Sequence, residues 1–283
     1  HKGVISRALD NDYLNPDHGE ECFDVNVLKT LFMIKYVKEI KANIENITSL
    51  MVDHMDNDRM ELSQKVEDAL KRLIRQTLVQ KNGDIYVFLT NEEQEINHEI
   101  DSQTVEMAEV INKVSEMIFE DIFTDKKYRY PEFNGRYAFS FNQSVDDRPY
   151  KSNQNYDVGL RILTPWYDGG MDDATLRMMS GQRNEVLVVL PNDTAFLDEL
   201  RIYLKIEKFL RLNTSAQLTK YETIKEAKRV EMRERNSNAK LYLTESLKDA
   251  IIYVNGDVAH VAGKEVTTRI NDALGRLVQT VYH

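Results

Sequence analysis

A single cysteine, Cys22, in 283 residues excludes an internal disulfide and fits a reducing cytosol. A lone thiol has a nucleophile reading, but no His neighbours Cys22 in a recognisable motif. It is read as a small buried or incidental residue. Long hydrophobic runs are also missing. Charges interrupt every apolar stretch well before the roughly 20 residues that a membrane span needs. No apolar run follows a basic start, which excludes a secretory signal. A cytoplasmic location without membrane contact is expected. Positive charge is short as well: the formal net charge is −10, so the surface as a whole repels nucleic acid unless cations are segregated locally.

What is present is globular composition, 42% hydrophobic and 30% charged, enough for two domains or three small ones. The chain starts at His1 rather than Met, which suggests a piece of a larger protein. Residues 1–24 lack a clear period and carry Asn15-Pro16-Asp17 and His18-Gly19. They read as a linker or the tail of an upstream domain. Residues 25–100 then predict three helices and a β-hairpin. The first runs from Val25 to Ala42, and the second from Ile47 to His54 with Asn46 as its cap. Asp58 and Glu61 have capping-box spacing. The helix they open has a core face of Leu62, Val66, Ala69, Leu70, Leu73 and Thr77. Its opposite face carries Gln64, Asp68, Lys71 and Arg75. Asn82-Gly83 between strand formers predicts a type I′ hairpin turn, and Thr90 to Glu93 predicts a capping box directly after it.

Residues 101–212 read as a mixed α/β domain. A helix is expected over Val105 to Phe123, and a half-buried strand where Tyr137, Phe139 and Phe141 alternate with polar or small residues. Asp146 to Pro149 is a turn, and Val158 to Thr164 is a strand. The unbroken Val186 to Leu190 suits a strand buried on both faces, followed by a helix from Thr194 to Leu212 that Asp193 caps. Residues 213–250 predict a long charged helix with a solvated face, an exposed arm. Residues 251–283 predict a hairpin about Asn255-Gly256 and a last helix packing on the α/β domain. The fold class is thus α+β: a winged helix-turn-helix followed by a small mixed α/β domain with a long charged helix.

No catalytic motif is complete. Gly256 to Lys264 resembles a phosphate loop only superficially: the glycines are too far apart, and Glu265 stands where a Mg²⁺-binding hydroxyl is required. None of His1, His18, His54, His98, His260 and His283 pairs at metal-binding helical spacing. Asp53, Asp56 and Asp58 lack the glycine and terminal Glu of a calcium loop. Asp146 and Asp147 would do acid–base work only if burial separated their pKa values. Beside Pro149 they read as solvated turn residues. The expectation is a chain that is not itself an enzyme and holds no cofactor. The sites left are the outward face of the third helix and the wing: Arg59, Gln64, Lys65, Lys71, Arg75, Lys81 and Asn82. They would meet double-stranded DNA or a protein partner. Glu67 and Asp68 dilute that face.

Six strings carry a family resemblance. They are LFMIKYVKEIKANIENITSL from Leu31, NGDIYVFLTNEEQE from Asn82, FEDIFTDKKYRY from Phe119, FNQSVDDRP from Phe141, VVLPND from Val188 and AIIYVNG from Ala250. In this order they resemble BrxC, the large P-loop ATPase family of bacterial BREX bacteriophage-exclusion systems, over nearly the whole chain from Val25. The resemblance implies a region downstream of an AAA+-type core, with ATP and Mg²⁺ in that other part. No ATPase residue carries over to this sequence. It also implies antiviral defence with a methyltransferase and other BREX components, on or near DNA. Two functions follow as expectations: an accessory region contacting DNA, BREX partners or its own copies, or a protein-interaction scaffold without DNA contact. A free-standing winged-helix regulator is a third and weaker reading.

Overall fold

The computed structural model describes residues 2–53, 58–212 and 221–282, with Phe133 by its backbone alone. The expectations that fall on His1, His54, Asp56, residues 213–220 and His283 lie outside the described residues. The chain forms two compact units. Unit 1 comprises His1–Gln103 and Lys208–Glu231, and unit 2 comprises Thr104–Glu207 and Met232–His283.

Unit 1 starts with α1 (Lys2–Leu9), α2 (Phe23–Ile34), α3 (Ile44–Leu50) and α4 (Arg59–Arg75). A hairpin of β1 (Val79–Asn82) and β2 (Ile85–Phe88) and then α5 (Asn91–Asp101) follow. The opening segment is not the expected linker. Val4 and Ala8 lie four apart on one face of α1, and with Leu14 they are buried in the same cluster as Leu28, Leu31, Leu70, Leu73 and Phe88. Asn15 fixes the following loop, its amide donating to the carbonyls of Leu9 and Gly19 at 2.9 Å.

The first expected helix stops at Ile34 rather than Ala42, because the chain turns to meet the hairpin: the Tyr86 N–H donates to the Ala42 carbonyl at 2.9 Å. That bond leaves Val37, part of the helical stripe, exposed. α3 begins three residues early. Asn43, not Asn46, is its cap, accepting from the Asn46 N–H. Asp58 caps α4 by accepting from the N–H groups of Met60 and Glu61. The helix ends before Thr77, which takes a left-handed φ of 58° and stays exposed rather than joining the core face. The Leu78 N–H reaches the Leu73 carbonyl at 3.1 Å and the Thr77 N–H reaches Ile74 at 2.9 Å, the Schellman pattern. Val66, Ala69, Leu70 and Leu73 form the buried stripe of α4. Arg72 anchors the helix to α2 with two hydrogen bonds, 2.7 and 2.9 Å, to the buried carboxylate of Asp24.

Unit 2 is built on a six-stranded mixed sheet in the order β10-β9-β8-β7-β5-β6. Its strands are β5 (Asn142–Val145), β6 (Arg148–Pro149), β7 (Gly159–Leu163), β8 (Glu185–Val189), β9 (Ile251–Val254) and β10 (Asp257–Val258). β5, β7 and β8 are mutually parallel, and the outer pairings are antiparallel. β8 is central and buried as its apolar run predicts. Leu160, Ile162, Val186, Val188, Ile252 and Val254 face the large core, which α6 (Met107–Glu116), α8 (Ala195–Leu212), α9 (Glu222–Lys248) and α10 (Val266–Tyr282) help to fill. Leu163, Leu187, Val189 and Tyr253 face the other way, against Leu176 of α7 (Asp173–Gln182), an element the periodicity did not predict. α6 passes into a π-helical turn at Met117–Ile122, which ends the helix expected to reach Phe123.

The expected strand over residues 137–141 is shorter and lies outside the main sheet, which the chain enters only from Asn142. β4 (Ala138–Ser140) pairs with β3 (Lys127–Arg129) in a separate ribbon, and β5 enters the main sheet. The long helix is not an exposed arm. Arg235, Ala239, Leu243 and Leu247 on its unit 2 portion are buried. In unit 1, Lys225, Lys228 and Glu231 are buried too. Lys228 pairs with Glu231 at 2.8 Å and Arg235 with Glu199 at 2.9 Å. An alternation of Lys, Arg and Glu has the same pattern whether its pairs lie in water or in a core, so composition could not separate the two.

Candidate functional site

The helix-and-hairpin residues singled out in the sequence are brought onto α4 and its neighbours, and most have a partner. Lys71 lies 3.1 Å from Glu67 and 3.8 Å from Asp68, and its hydrogen bond to Glu67 raises its pKa. Gln64 donates to Asp68 at 3.1 Å. Arg75 donates to the Tyr13 hydroxyl at 3.2 Å, and Arg59 to the Ser49 hydroxyl at 2.7 Å. Lys65 sits 4.3 Å from the centroid of the Phe23 ring. At the hairpin, Lys81 lies 5.5 Å from the centroid of Tyr86. Asn82 closes the ladder opposite Ile85. Arg59, Gln64, Lys65, Lys71, Arg75 and Lys81 are exposed, so the face is accessible, but it alternates in charge.

The hairpin turn is one residue out of the expected register. Asn82 pairs with Ile85, so the turn residues are Gly83 and Asp84. Of the turn's residues only Gly83 has a positive φ, 62°, which matches a type II′ turn with glycine first. Asn255-Gly256 does form the expected type I′ turn, with φ values of 54° and 85°. Gly256, half of the false phosphate loop, therefore belongs to a hairpin.

In unit 2 the carboxyl ends of parallel strands are where open α/β sheets place ligands. Here they hold a latch. Asp146, in the β5–β6 turn, is buried, contrary to the solvated reading. Its Oδ1 accepts from the Thr164 N–H and its Oδ2 from the Thr164 hydroxyl, both at 2.8 Å. Burial pushes its pKa up, against those two hydrogen bonds, which pull it down. The buried Arg161 donates to the Asp146 carbonyl and to Asp147 Oδ1, each at 2.9 Å. Both carboxylate oxygens of Asp146 are thus engaged in tying the turn to the end of β7. Among the described residues no group of three or more His, Cys, Asp and Glu could hold a metal.

The motif reading passed over a second grouping in unit 2. A pocket of about 600 Å³ is lined by Phe119, Lys126, Phe141, Tyr150, Lys151 and Tyr156, together with amide side chains. The Tyr150 ring packs on Phe119 at 5.2 Å, and its hydroxyl donates to Glu120. Two amides pin the loop above it. Asn142 brackets the backbone of Tyr156 at 2.9 and 3.1 Å, and Gln154 brackets the backbone of Gln143 at 2.5 and 3.1 Å. Lysines and arginine alternating with tyrosines over Lys126 to Tyr130, in so acidic a chain, is the signal that could have found it.

No helix of the described residues is long and apolar enough to cross a membrane. No solved structure matches the chain significantly. A family model described as the BREX ATP-binding protein BrxC 4th domain with six-stranded beta sheet matches residues 103–277. That segment carries the six-stranded sheet of unit 2, and it is more than half of the chain. The chain belongs to the BrxC fourth-domain family of BREX systems.

Proposed function

We propose that this chain is a non-catalytic accessory region of a BREX phage-defence protein, and that unit 1 is a winged helix-turn-helix that docks another BREX component. The helix order, the hairpin after α4, and the Ala42–Tyr86 bond that sets the α2–α3 segment on the free edge of β2 support the winged-helix reading. The observation that carries the choice of partner is the charge on the outward face of α4. Glu67 and Asp68 stand among Lys65, Lys71 and Arg75, and residues 1–103 carry 12 Lys and Arg against 20 Asp and Glu. Duplex phosphates favour a one-signed surface, whereas a protein partner can match alternating charges. Duplex DNA is the second reading. It is favoured by the exposure of Arg59, Lys65 and Arg75 on one helix beside the hairpin. ATP and Mg²⁺ belong, on this proposal, to another part of the parent protein.

The double variant Lys71→Glu, Arg75→Glu tests it. Pull-down with purified BREX components is run beside duplex-DNA anisotropy at several salt concentrations, with circular dichroism to verify folding. Loss of co-purification with unchanged DNA affinity is expected. Weaker DNA binding, with a salt slope flattened by about two phosphate contacts, selects the duplex reading instead. A folded variant unchanged in both assays refutes both.

A further inference from the structure

The chain has a net charge of −10, yet residues 126–151 carry six Lys and Arg and only three acids, Glu132, Asp146 and Asp147. Two of those acids are already engaged, Asp146 by Thr164 and Asp147 by Arg161. The cations have no such bond: Lys126, Lys127, Arg129 and Lys151 are exposed and form no salt bridge among the described residues, and Lys151 lies 5.3 Å from the centroid of the Tyr150 ring. The ribbon explains part of this. Its alternation turns Tyr128 inward and leaves Lys127 and Arg129 on the outer face. Lys126, just before the strand, stands at the rim of the pocket together with Lys151.

The pocket adds aromatic surface to this charge. Tyr156 is 46% exposed although its backbone is held at both polar groups by Asn142. Tyr150 presents a ring backed by Phe119, and its phenol stays neutral in any ordinary buffer, because burial first and then the hydrogen bond to Glu120 push it up to about 12. An exposed ring and a half-buried one on a pinned backbone, beside exposed cations without a salt-bridge partner, have the chemistry of a site for unstacked bases and their phosphates. A duplex keeps its bases stacked and out of reach of such rings. An acidic peptide would use the lysines and leave the rings idle.

We infer that unit 2 binds single-stranded nucleic acid, with phosphates along Lys126, Lys127, Arg129 and Lys151 and a base against Tyr150 and Tyr156. The site lies on different residues from the α4 face and does not depend on the docking proposed for it. Glu120 opposes it, since the Tyr150 hydroxyl and the two lysines hold its carboxyl below the usual range and therefore ionised.

The test is fluorescence anisotropy of the purified chain with labelled dT15 and rU15 at several salt concentrations. A duplex of equal length and polyglutamate serve as competitors. Preferential binding of a single strand is expected, and the ratio of dT15 to rU15 affinities identifies the natural sugar. Lys126→Glu with Lys151→Glu should weaken binding at least tenfold and flatten the salt slope by about 1.4, two contacts at the single-strand value. Tyr156→Ala should weaken it about tenfold with the slope unchanged. Glu120→Gln should tighten it. Lys71→Glu with Arg75→Glu should leave it alone, which separates this site from the one on α4. Fluorescence of Trp166, the single tryptophan, verifies that unit 2 of each variant is folded. Equal competition by duplex or polyglutamate, or full affinity in a folded Tyr156→Ala variant, overturns the proposal.

Discussion

Replacing Asp146 with Asn and with Ala should have opposite consequences. Asp146 adopts a φ of 52° in a two-residue turn, a conformation open to Asp and Asn but costing about 1–2 kcal/mol for Ala. Its oxygens satisfy the Thr164 N–H and hydroxyl, and leaving the buried N–H unpaired costs about a further 1–3 kcal/mol. Asp146→Ala should therefore destabilise unit 2 by about 2–5 kcal/mol. Asn keeps the turn. Its amide oxygen accepts from the Thr164 N–H, its NH₂ donates to the hydroxyl oxygen, and no charge is buried. Because burial raises the Asp146 pKa, the folded wild type holds its proton more tightly than the unfolded chain does. The carboxyl's contribution is therefore present in full below the ordinary Asp value and is lost as pH rises through the folded value. Asp146→Asn should match or exceed the wild type at pH 7, and its advantage should shrink as pH falls towards and below the ordinary value. Urea unfolding followed by Trp166 fluorescence reads unit 2, since Trp166 lies two residues beyond Thr164 and its N–H donates to that hydroxyl. An Asn variant as unstable as the Ala variant at pH 7 would refute the argument, because the ionised carboxylate would then be stabilising.

Two further outcomes are expected in unit 1. Gly83→Val places a β-branched residue at a φ of 62° and should cost about 1–2 kcal/mol, read as a lower urea midpoint, while Gly83→Asn should cost less. Glu231→Ala leaves the buried Lys228 ammonium without its carboxylate and should cost about 3 kcal/mol. The double change Lys228→Met, Glu231→Leu should recover most of that loss, and a double variant no better than the single one would place the stability elsewhere.

Local chemistry made much of this chain legible without coordinates. Asp58, Thr90 and Asp193 announce helix starts because a short side-chain oxygen there reaches N–H groups that have no helical partner. Asn255-Gly256 announces a hairpin because few other pairs accept two positive φ values in succession. Val186 to Leu190 announces a central strand because a run without polar residues can only be buried on both faces. The segment from Lys126 to Tyr130 was legible too, as charge alternating with aromatic rings, but it carries no motif spacing to draw the eye.

What the sequence determined by itself was therefore where elements start and turn, and which stripes are apolar. Only the tertiary structure decided where α2 ends, because the partner of the Ala42 carbonyl is Tyr86, far along the chain. It alone decided that Val4, Ala8 and Leu14 of the opening segment pack on the core of unit 1, since a short segment with few apolar residues has no period of its own until a neighbouring surface receives them. It alone put Lys225, Lys228, Glu231 and Arg235 of α9 indoors, while Glu226, Arg229, Arg233 and Glu234 keep a solvated face, and it made Asp146 a latch rather than a wet turn residue. Burial is a property of what lies opposite a side chain, and sequence spacing does not encode what lies opposite.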